Sequence, residues 1–442
     1  PRAAMGWIGL VWTMPLLGAA IYGLFGINRV RTRARRISDE ADQPSGPRTP
    51  PDPVPPTALD SRANLLARIS DAVSDRPIVG GNQVQVLHNG DEAFPAMLDE
   101  IAAAQRSVYL MTYIMNRDEV GRAFVDALAQ ARNRGVAVKV LIDGMGEYDS
   151  WRRIGPVLRR AGVPFARFLP PRLLPPSIHL NLRNHRKVLV IDDQVAFAGG
   201  MNISARHELS SASPAAATAD VHFKFQGPVA GQLQDVFASS WRFATREALA
   251  SDHDACAAPG TSACRAINDG PDEDLDKLAQ ILRGAVSAAK SSVQILTPYF
   301  LPSSALIGAL QAAALRGVEV QIVLPERSNK RVVDWATQRI LGELIARGVH
   351  IYKQPAPFHH GKLFVVDRSY LLLGSANLDP RSLRLNFEVG VEVFDEAAAL
   401  EVWSYVEQIR LRSQTVKIEE LTSRSLPRKL RDAFCWLFSP YL

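Results

Sequence analysis

Two short stretches of this chain carry the same reactive residues at the same spacing. One reads H-R-K-V-L-V-I-D from His185 to Asp192, then G-G-M-N from Gly199; the other reads H-G-K-L-F-V-V-D from His360 to Asp367, then G-S-A-N from Gly374. His, Lys, Asp, Gly and Asn recur at a constant offset of 175 residues. A single HxKxxxxD arises by chance in roughly one such chain in a hundred; two in register, each with a matching GxxN, are not an accident. The apolar runs VLVI and LFVV are typical of strands buried on both faces. Residues i and i+2 of a strand share a face, so His185 lies beside Lys187 and His360 beside Lys362. An imidazole next to an ammonium suits an anionic phosphate: the Lys neutralises its oxygens while the His acts on phosphorus or on the leaving oxygen. Asn202 and Asn377, on the following strand, are expected to donate to a phosphate oxygen. Ser375 is expected to add a donor where Gly200 has only its backbone. Asp192 and Asp367 complete the motifs at the far strand ends, with opposite parity, and read as turn residues.

An imidazole that attacks phosphorus needs a partner to fix its tautomer, usually a carboxylate on the far nitrogen. Glu388, in LRLNFEVGVEVF, and Asp220, in TADVHFKFQG, open strand-like segments at similar downstream positions and are the candidates. His359 is out of register and reads as a rim residue. His88, His179, His207, His222, His253 and His350 read as surface or core histidines. Tyr113 and Tyr299 occupy equivalent positions after a strand, lining either the cleft or the core.

The elements that must hold these groups also repeat. RSVYLMTYI (106–114) resembles SSVQILTPY (291–299), and RGVAVKVLID (134–143) resembles RGVEVQIVLP (316–325), with an Ala-rich helical stretch between the two runs in each half. Strand–helix–strand order predicts an α/β fold: a duplicated domain with two mixed, mostly parallel sheets flanked by helices and related by a pseudo-twofold axis. The expected organisation is a transmembrane helix and basic segment over 1–37, a Pro-rich linker over 38–75, a first domain over 76–247, a linker of turn composition over 248–274, a second domain over 275–413 and an amphipathic tail over 414–442.

Residues 3–27 hold no charge, and Arg29, Arg31, Arg33, Arg35 and Arg36 follow. Twenty-five residues at about 1.5 Å each are enough to span a bilayer core of about 30 Å. The arginines place that end in the cytoplasm. A secretory signal peptide fits less well, because the run is too long and the charges lie on the wrong side. The 442 residues carry a net charge of +6, which favours anionic partners. Three cysteines without metal-ligand spacing exclude a disulfide scaffold and a zinc site. Two segments suit lipid contact: FLPPRLLPPSIHL (168–180) as a dipping or buried loop, and PRKLRDAFCWLFSPYL (427–442) as an interfacial or packed helix.

The paired motifs, each with its G[GS]xN, resemble the phospholipase D superfamily. NLRNHRKVLVIDD with GGMNI, PFHHGKLFVVD with GSANLDPRSLRLNFEV, and the Ser-Pro-x-Leu end resemble bacterial membrane-anchored cardiolipin synthases, over nearly the whole chain. Those proteins usually carry two N-terminal membrane segments; one is visible here. The resemblance implies phosphatidyl transfer without cofactor or metal, from one phosphatidylglycerol to another, through a phosphohistidine on His185 with His360 as acid and base. It also implies a place at the bacterial inner membrane with the catalytic halves on the cytoplasmic side. The same residues would serve a phospholipase D that uses water or, less readily, a phosphodiesterase acting on nucleic acid. A catalytically dead scaffold is disfavoured by the intact motifs.

Overall fold

A computed structural model describes residues 2–25, 59, 61–149, 153–171, 182–211, 213, 217–249, 257–271 and 276–439. The basic juxtamembrane segment, nearly all of the Pro-rich stretch before Ser61, and residues 172–181 of the apolar loop lie outside the described residues.

The first half contributes β1 (Val79–His88), β2 (Ser107–Thr112), β3 (Ala137–Asp143), β4 (Phe165–Phe168), β5 (Arg183–Asn184), β6 (Val188–Ile191), β7 (Val195–Gly199), β8 (Thr218–Ala219) and β9 (Val221–Gln226). The second contributes β10 (Ser262–Asp269), β11 (Ser292–Leu296), β12 (Glu319–Pro325), β13 (His350–Gln354), β14 (Phe358–His359), β15 (Leu363–Val366), β16 (Tyr370–Gly374), β17 (Asn386–Phe394) and β18 (Gln414–Thr415). The strand order β4-β3-β2-β6-β7-β9-β1 of one half is mirrored by β13-β12-β11-β15-β16-β17-β10 of the other.

Two sheets were expected, but one sheet of sixteen strands forms, because β1 and β10 pair antiparallel at its centre. The joining strand β10 lies inside the stretch 248–274 expected as a linker. The sheet is also mostly antiparallel: along its continuous path, parallel pairing is confined to β2-β3-β4 and β11-β12-β13. The reason lies in the motifs themselves. Asp192 and Asp193 (φ 51° and 69°) and Asp367 and Arg368 (φ 52° and 55°) form two-residue turns in the left-handed region, folding β6 onto β7 and β15 onto β16 as hairpins. Asp tolerates that backbone well. Its carboxylate also accepts three successive N–H groups: Gln105, Arg106 and Ser107 for Asp192, and Lys290, Ser291 and Ser292 for Asp367.

Within the motifs, Val188 and Val190 pack into a cluster shared by both halves, while Leu189 and Ile191 pack into a separate first-half cluster. Leu363 and Val365 join the shared cluster, with Phe364 and Val366 turned to the second half's own. Both motif strands are therefore buried on both faces. The shared cluster lies under the long helices Pro228–Thr245 and Glu396–Leu411, which supply Val229, Leu233, Phe237, Val402 and Trp403. A further helix, Ser61–Asp71, lies within the stretch 38–75 expected as linker and packs Leu66 and Ala67 into the second half's core.

The single spanning helix expected over 3–27 is not what forms. The run folds as two helices, Arg2–Thr13 and Pro15–Phe25, broken at Met14 ahead of a proline that cannot donate into the preceding turn. The helices turn back on each other, with the Trp7 and Tyr22 rings 5.2 Å apart. At 12 and 11 residues, each is about 17–18 Å long. Among the described residues no helix is long and apolar enough to cross a membrane.

Candidate active site

The stretch just before each motif pairs with the other half. β5, ahead of His185, lies parallel to the start of β17, and the His185 N–H donates to Phe387 O at 2.9 Å. β14, ahead of His360, lies parallel to β8, and the His360 N–H donates to Ala219 O at 2.7 Å. His185 Nδ1 stands 3.0 Å from the Glu388 carboxylate, and His360 Nδ1 stands 3.1 Å from that of Asp220. Each imidazole is thus oriented at Nδ1 by a carboxylate from the opposite half, with Nε2 the remaining ring nitrogen; Lys362 Nζ lies 3.1 Å from that of His360. The histidines and lysines sit just ahead of β6 and β15 rather than on them.

Arg186 reinforces this clasp. It is buried, donating to Glu388 O at 3.0 Å, Ser240 Oγ at 2.9 Å and Asp269 O at 3.3 Å. Its counterpart is Gly361, where a Cβ would lie 2.6 Å from the His359 ring. His359 is not a rim residue: it is buried, its Nδ1 accepts the Gly361 N–H at 2.9 Å, and its Nε2–H donates to the Tyr405 hydroxyl at 2.8 Å. The sequence offered only a second histidine beside the first; the bracket that it forms around His360 depends on Tyr405 of a distant helix. Tyr113 meets the His185 ring edge-on at 5.2 Å, and Tyr299 meets that of His360 at 6.5 Å. Lys330, another residue not foreseen, lies 4.7 Å over the Tyr299 ring, and its charge reaches His185 and Lys362.

The electrostatics differ between the two pairs. Burial, then the charges of Lys187, Lys362 and Lys330, hold His185 well below the ordinary histidine range. Burial and Lys362 do the same to His360, against the pull of Asp220. Burial lowers Lys187 to about 7 and Lys362 to about 8. It raises Glu388 to about 7 despite Lys187, Ser375 and Asn386. Burial also works to raise Asp220, but the His360 hydrogen bond and the Lys362 charge outweigh it and keep that carboxyl well below the usual range. The site therefore holds neutral imidazoles, lysines near their titration points, one firmly ionised carboxylate and one that shares its charge with a proton.

Ser375, expected as a phosphate donor, has its hydroxyl bonded within the protein. Its hydroxyl donates to Glu388 and accepts the Val389 N–H, and its carbonyl lies 3.1 Å from His185 Nδ1. Asn202 accepts the Ile114 N–H at 3.2 Å through its oxygen, which leaves its NH2 end as the donor. Asn377 donates to Ser382 Oγ at 3.2 Å. Asp192 and Asp367 lie a full strand away, at the hairpin turns. His207 and His222 are buried near Asp220 and pushed down to about 4, chiefly by that burial. Among the described residues no group of three or more His, Cys, Asp or Glu side chains is arranged to hold a metal ion.

Two His–Lys pairs, each braced by a carboxylate from the other half, make a candidate phospholipase D-like phosphoryl-transfer site. Residues 97–241 and 282–410 match the family described as cardiolipin synthase, PLD-like domain. The chain is 32% identical over 401 residues to the cardiolipin synthase of Geobacillus thermodenitrificans, covering 89% of this chain and 80% of that one. It is 32% identical over 365 residues to the major cardiolipin synthase of Bacillus subtilis, covering 82% and 76%. The fold is similar to that of the phosphatidylserine synthase of Haemophilus influenzae, with a TM-score of 0.65 at 16% identity over 85% of this chain and all of the other. The chain belongs to the cardiolipin synthase family, and is a phosphatidyltransferase of that type.

Proposed function

We propose that this protein condenses two phosphatidylglycerol molecules into cardiolipin and glycerol through a phosphohistidine. The observation that carries the reading is the reciprocal pair His185–Glu388 and His360–Asp220. The phosphodiester anion enters between Lys187 and Lys362, and its charge offsets the repulsion that keeps His360 neutral. Neutral His185 attacks phosphorus through Nε2, and the bond from phosphorus to the glycerol oxygen breaks. His360, stabilised as imidazolium by ionised Asp220, gives its proton to the departing glycerol. The terminal hydroxyl of a second phosphatidylglycerol then surrenders its proton to His360 and attacks the phosphorus, and the N–P bond breaks to free His185. Positioned acid–base catalysis supplies about 10²–10⁴-fold, and the lysines and Asn202 contribute charge stabilisation beyond that. The repeated strand order and motifs support descent of the two halves from one duplicated domain.

We place the protein at the bacterial inner membrane, catalytic halves towards the cytoplasm. The uncharged run with its following arginines supports this, as do Ile8, Trp12, Met14, Leu16 and Leu17, exposed around the bend between the two N-terminal helices.

Purified protein in phosphatidylglycerol vesicles is expected to release cardiolipin and glycerol in equal amounts. Phosphatidic acid as the sole product would make it a hydrolase. With substrate labelled at phosphorus, an alkaline quench is expected to leave label on His185. His185→Ala and His360→Ala should each abolish transfer in folded protein, and substantial activity in either defeats the two-histidine mechanism.

A further inference from the structure

The helix Leu426–Leu437 is fixed to the body by one face only. Asp432 and Cys435 are buried beneath it; Asp432 pairs with Arg424 at 2.7 Å and with Arg431 at 2.8 Å, and the Arg431 guanidinium lies 4.3 Å over the Trp335 ring. The other face carries Leu426, Leu430, Phe434, Leu437 and Phe438, between 46% and 68% exposed. Their spacing of four, four, three and one places all five on one stripe. Isolated exposed apolar residues are ordinary, but a continuous stripe on one helix marks a surface that meets another phase or molecule.

Two observations say what that surface meets. Lys429 on one edge and Arg431 on the other flank the stripe, Arg428 adds an exposed charge to the helix's first turn, and the acidic Asp432 is buried and paired, so the rim is cationic. Glu419 and Glu420 lie on the preceding short helix, outside the stripe. An apolar face with a cationic rim fits an anionic bilayer surface. The helix also adjoins the catalytic cleft. Cys435 packs in one cluster with Tyr299, Leu301 and Val333, with Phe358 against it, and both Tyr299 and Phe358 flank the His360 ring. Beside the helix, a groove of about 1120 Å³ runs past Leu301, Ile307, Leu383 and Trp436 to Asp379, two residues beyond Asn377.

We infer that the helix Leu426–Leu437 is a docking surface for an anionic bilayer, seating the second half's side of the cleft against the lipid headgroups. The inference rests on the proposed use of phosphatidylglycerol, and adds the face through which that substrate is reached. Its test separates the two. Full-length protein is bound to phosphatidylglycerol vesicles containing a photoactivatable phosphatidylglycerol, and adducts are mapped by mass spectrometry. Adducts on the 426–438 peptide are expected. Adducts confined to other segments overturn the docking face, whether or not the protein turns over lipid. Leu430→Glu with Phe434→Glu, on exposed positions, is expected to lower activity on vesicles at least tenfold, with less than threefold change on short-chain phosphatidylglycerol dispersed below its micelle concentration. Equal loss on both substrates, or a wild-type dimer in solution that this double variant turns into monomer, overturns it. Wild-type protein inactive on both substrates refutes the proposed function instead, and the adduct map still decides the docking face.

Discussion

Asp220→Asn isolates the electrostatic argument in one atom's worth of chemistry. The variant keeps the size of the side chain and an oxygen able to accept the Val221 N–H, the contact now made by Oδ1 at 2.8 Å. What it removes is the negative charge 3.1 Å from His360 Nδ1. At that separation a carboxylate and an imidazolium attract by about 5 kcal/mol for an effective dielectric near 20. The amide dipole restores part of this, so a loss of about 3–5 kcal/mol, or ~10²–10⁴-fold in turnover, is expected. Two features of the site push towards the upper end. Lys362 Nζ lies 3.0 Å from the same nitrogen, so without Asp220 the imidazolium faces only repulsion. An Asn NH2 turned to Nδ1 would also select the tautomer with hydrogen on Nε2, which cannot accept the acceptor lipid's proton. The assay is cardiolipin formation in phosphatidylglycerol vesicles, with kcat and KM separated and folding followed by thermal melting. A folded Asp220→Asn protein within tenfold of wild-type kcat would refute the reasoning.

Glu388→Gln is expected to cost less, about tenfold in kcat: burial already raises that carboxyl to about 7, so the charge lost is partial, and a steady-state comparison of the two variants checks the asymmetry. Asp367→Ala should act on stability, since three backbone N–H donors lose their acceptor and Ala must occupy a φ of 52°; a melting point lower by several degrees with kcat per folded molecule within threefold is expected from a loss of about 2–3 kcal/mol. Acid should destabilise the fold between pH about 6.5 and about 4, because His207, His222 and His359, held near 4 in the folded state by burial, take up protons sooner when unfolded. Their contribution is whole above 6.5 and is lost as pH falls towards 4. Melting points across that window check the sign, and a flat profile would contradict it.

The candidate catalytic pairs were legible because chemistry restricts residue type: His and Lys recur at a constant offset, and a carboxylate opens a strand-like segment at a similar distance downstream in each half. The strands VLVI and LFVV were legible because burial on both faces leaves an unbroken apolar run. The join between the halves was not. β10 reads S-A-C-R-A-I-N-D, and its central Arg265 is fully buried between Asp71 at 2.8 Å and Glu392 at 3.3 Å. A charge in the middle of a strand looks like loop until its distant partners are known. Ser375 was half legible: a hydroxyl after a glycine suits a phosphate, but its bond to Glu388, thirteen residues on, shows only in the fold. The N-terminal run has the length and apolarity of a span; a single proline at residue 15 turned it into two shorter helices.

The cross-pairing of β5 with β17 and of β14 with β8 has a consequence during synthesis. The ribosome makes His185 some two hundred residues before the carboxylate that orients it, and makes Asp220 long before the imidazole that it serves. A partly translated chain thus holds an idle histidine and an idle acid: Asp220 gains its imidazole only once residue 360 is made, and His185 its carboxylate only once β17 is. A copy truncated ahead of β17 is therefore expected to be inert, because His185 lacks the carboxylate that orients it.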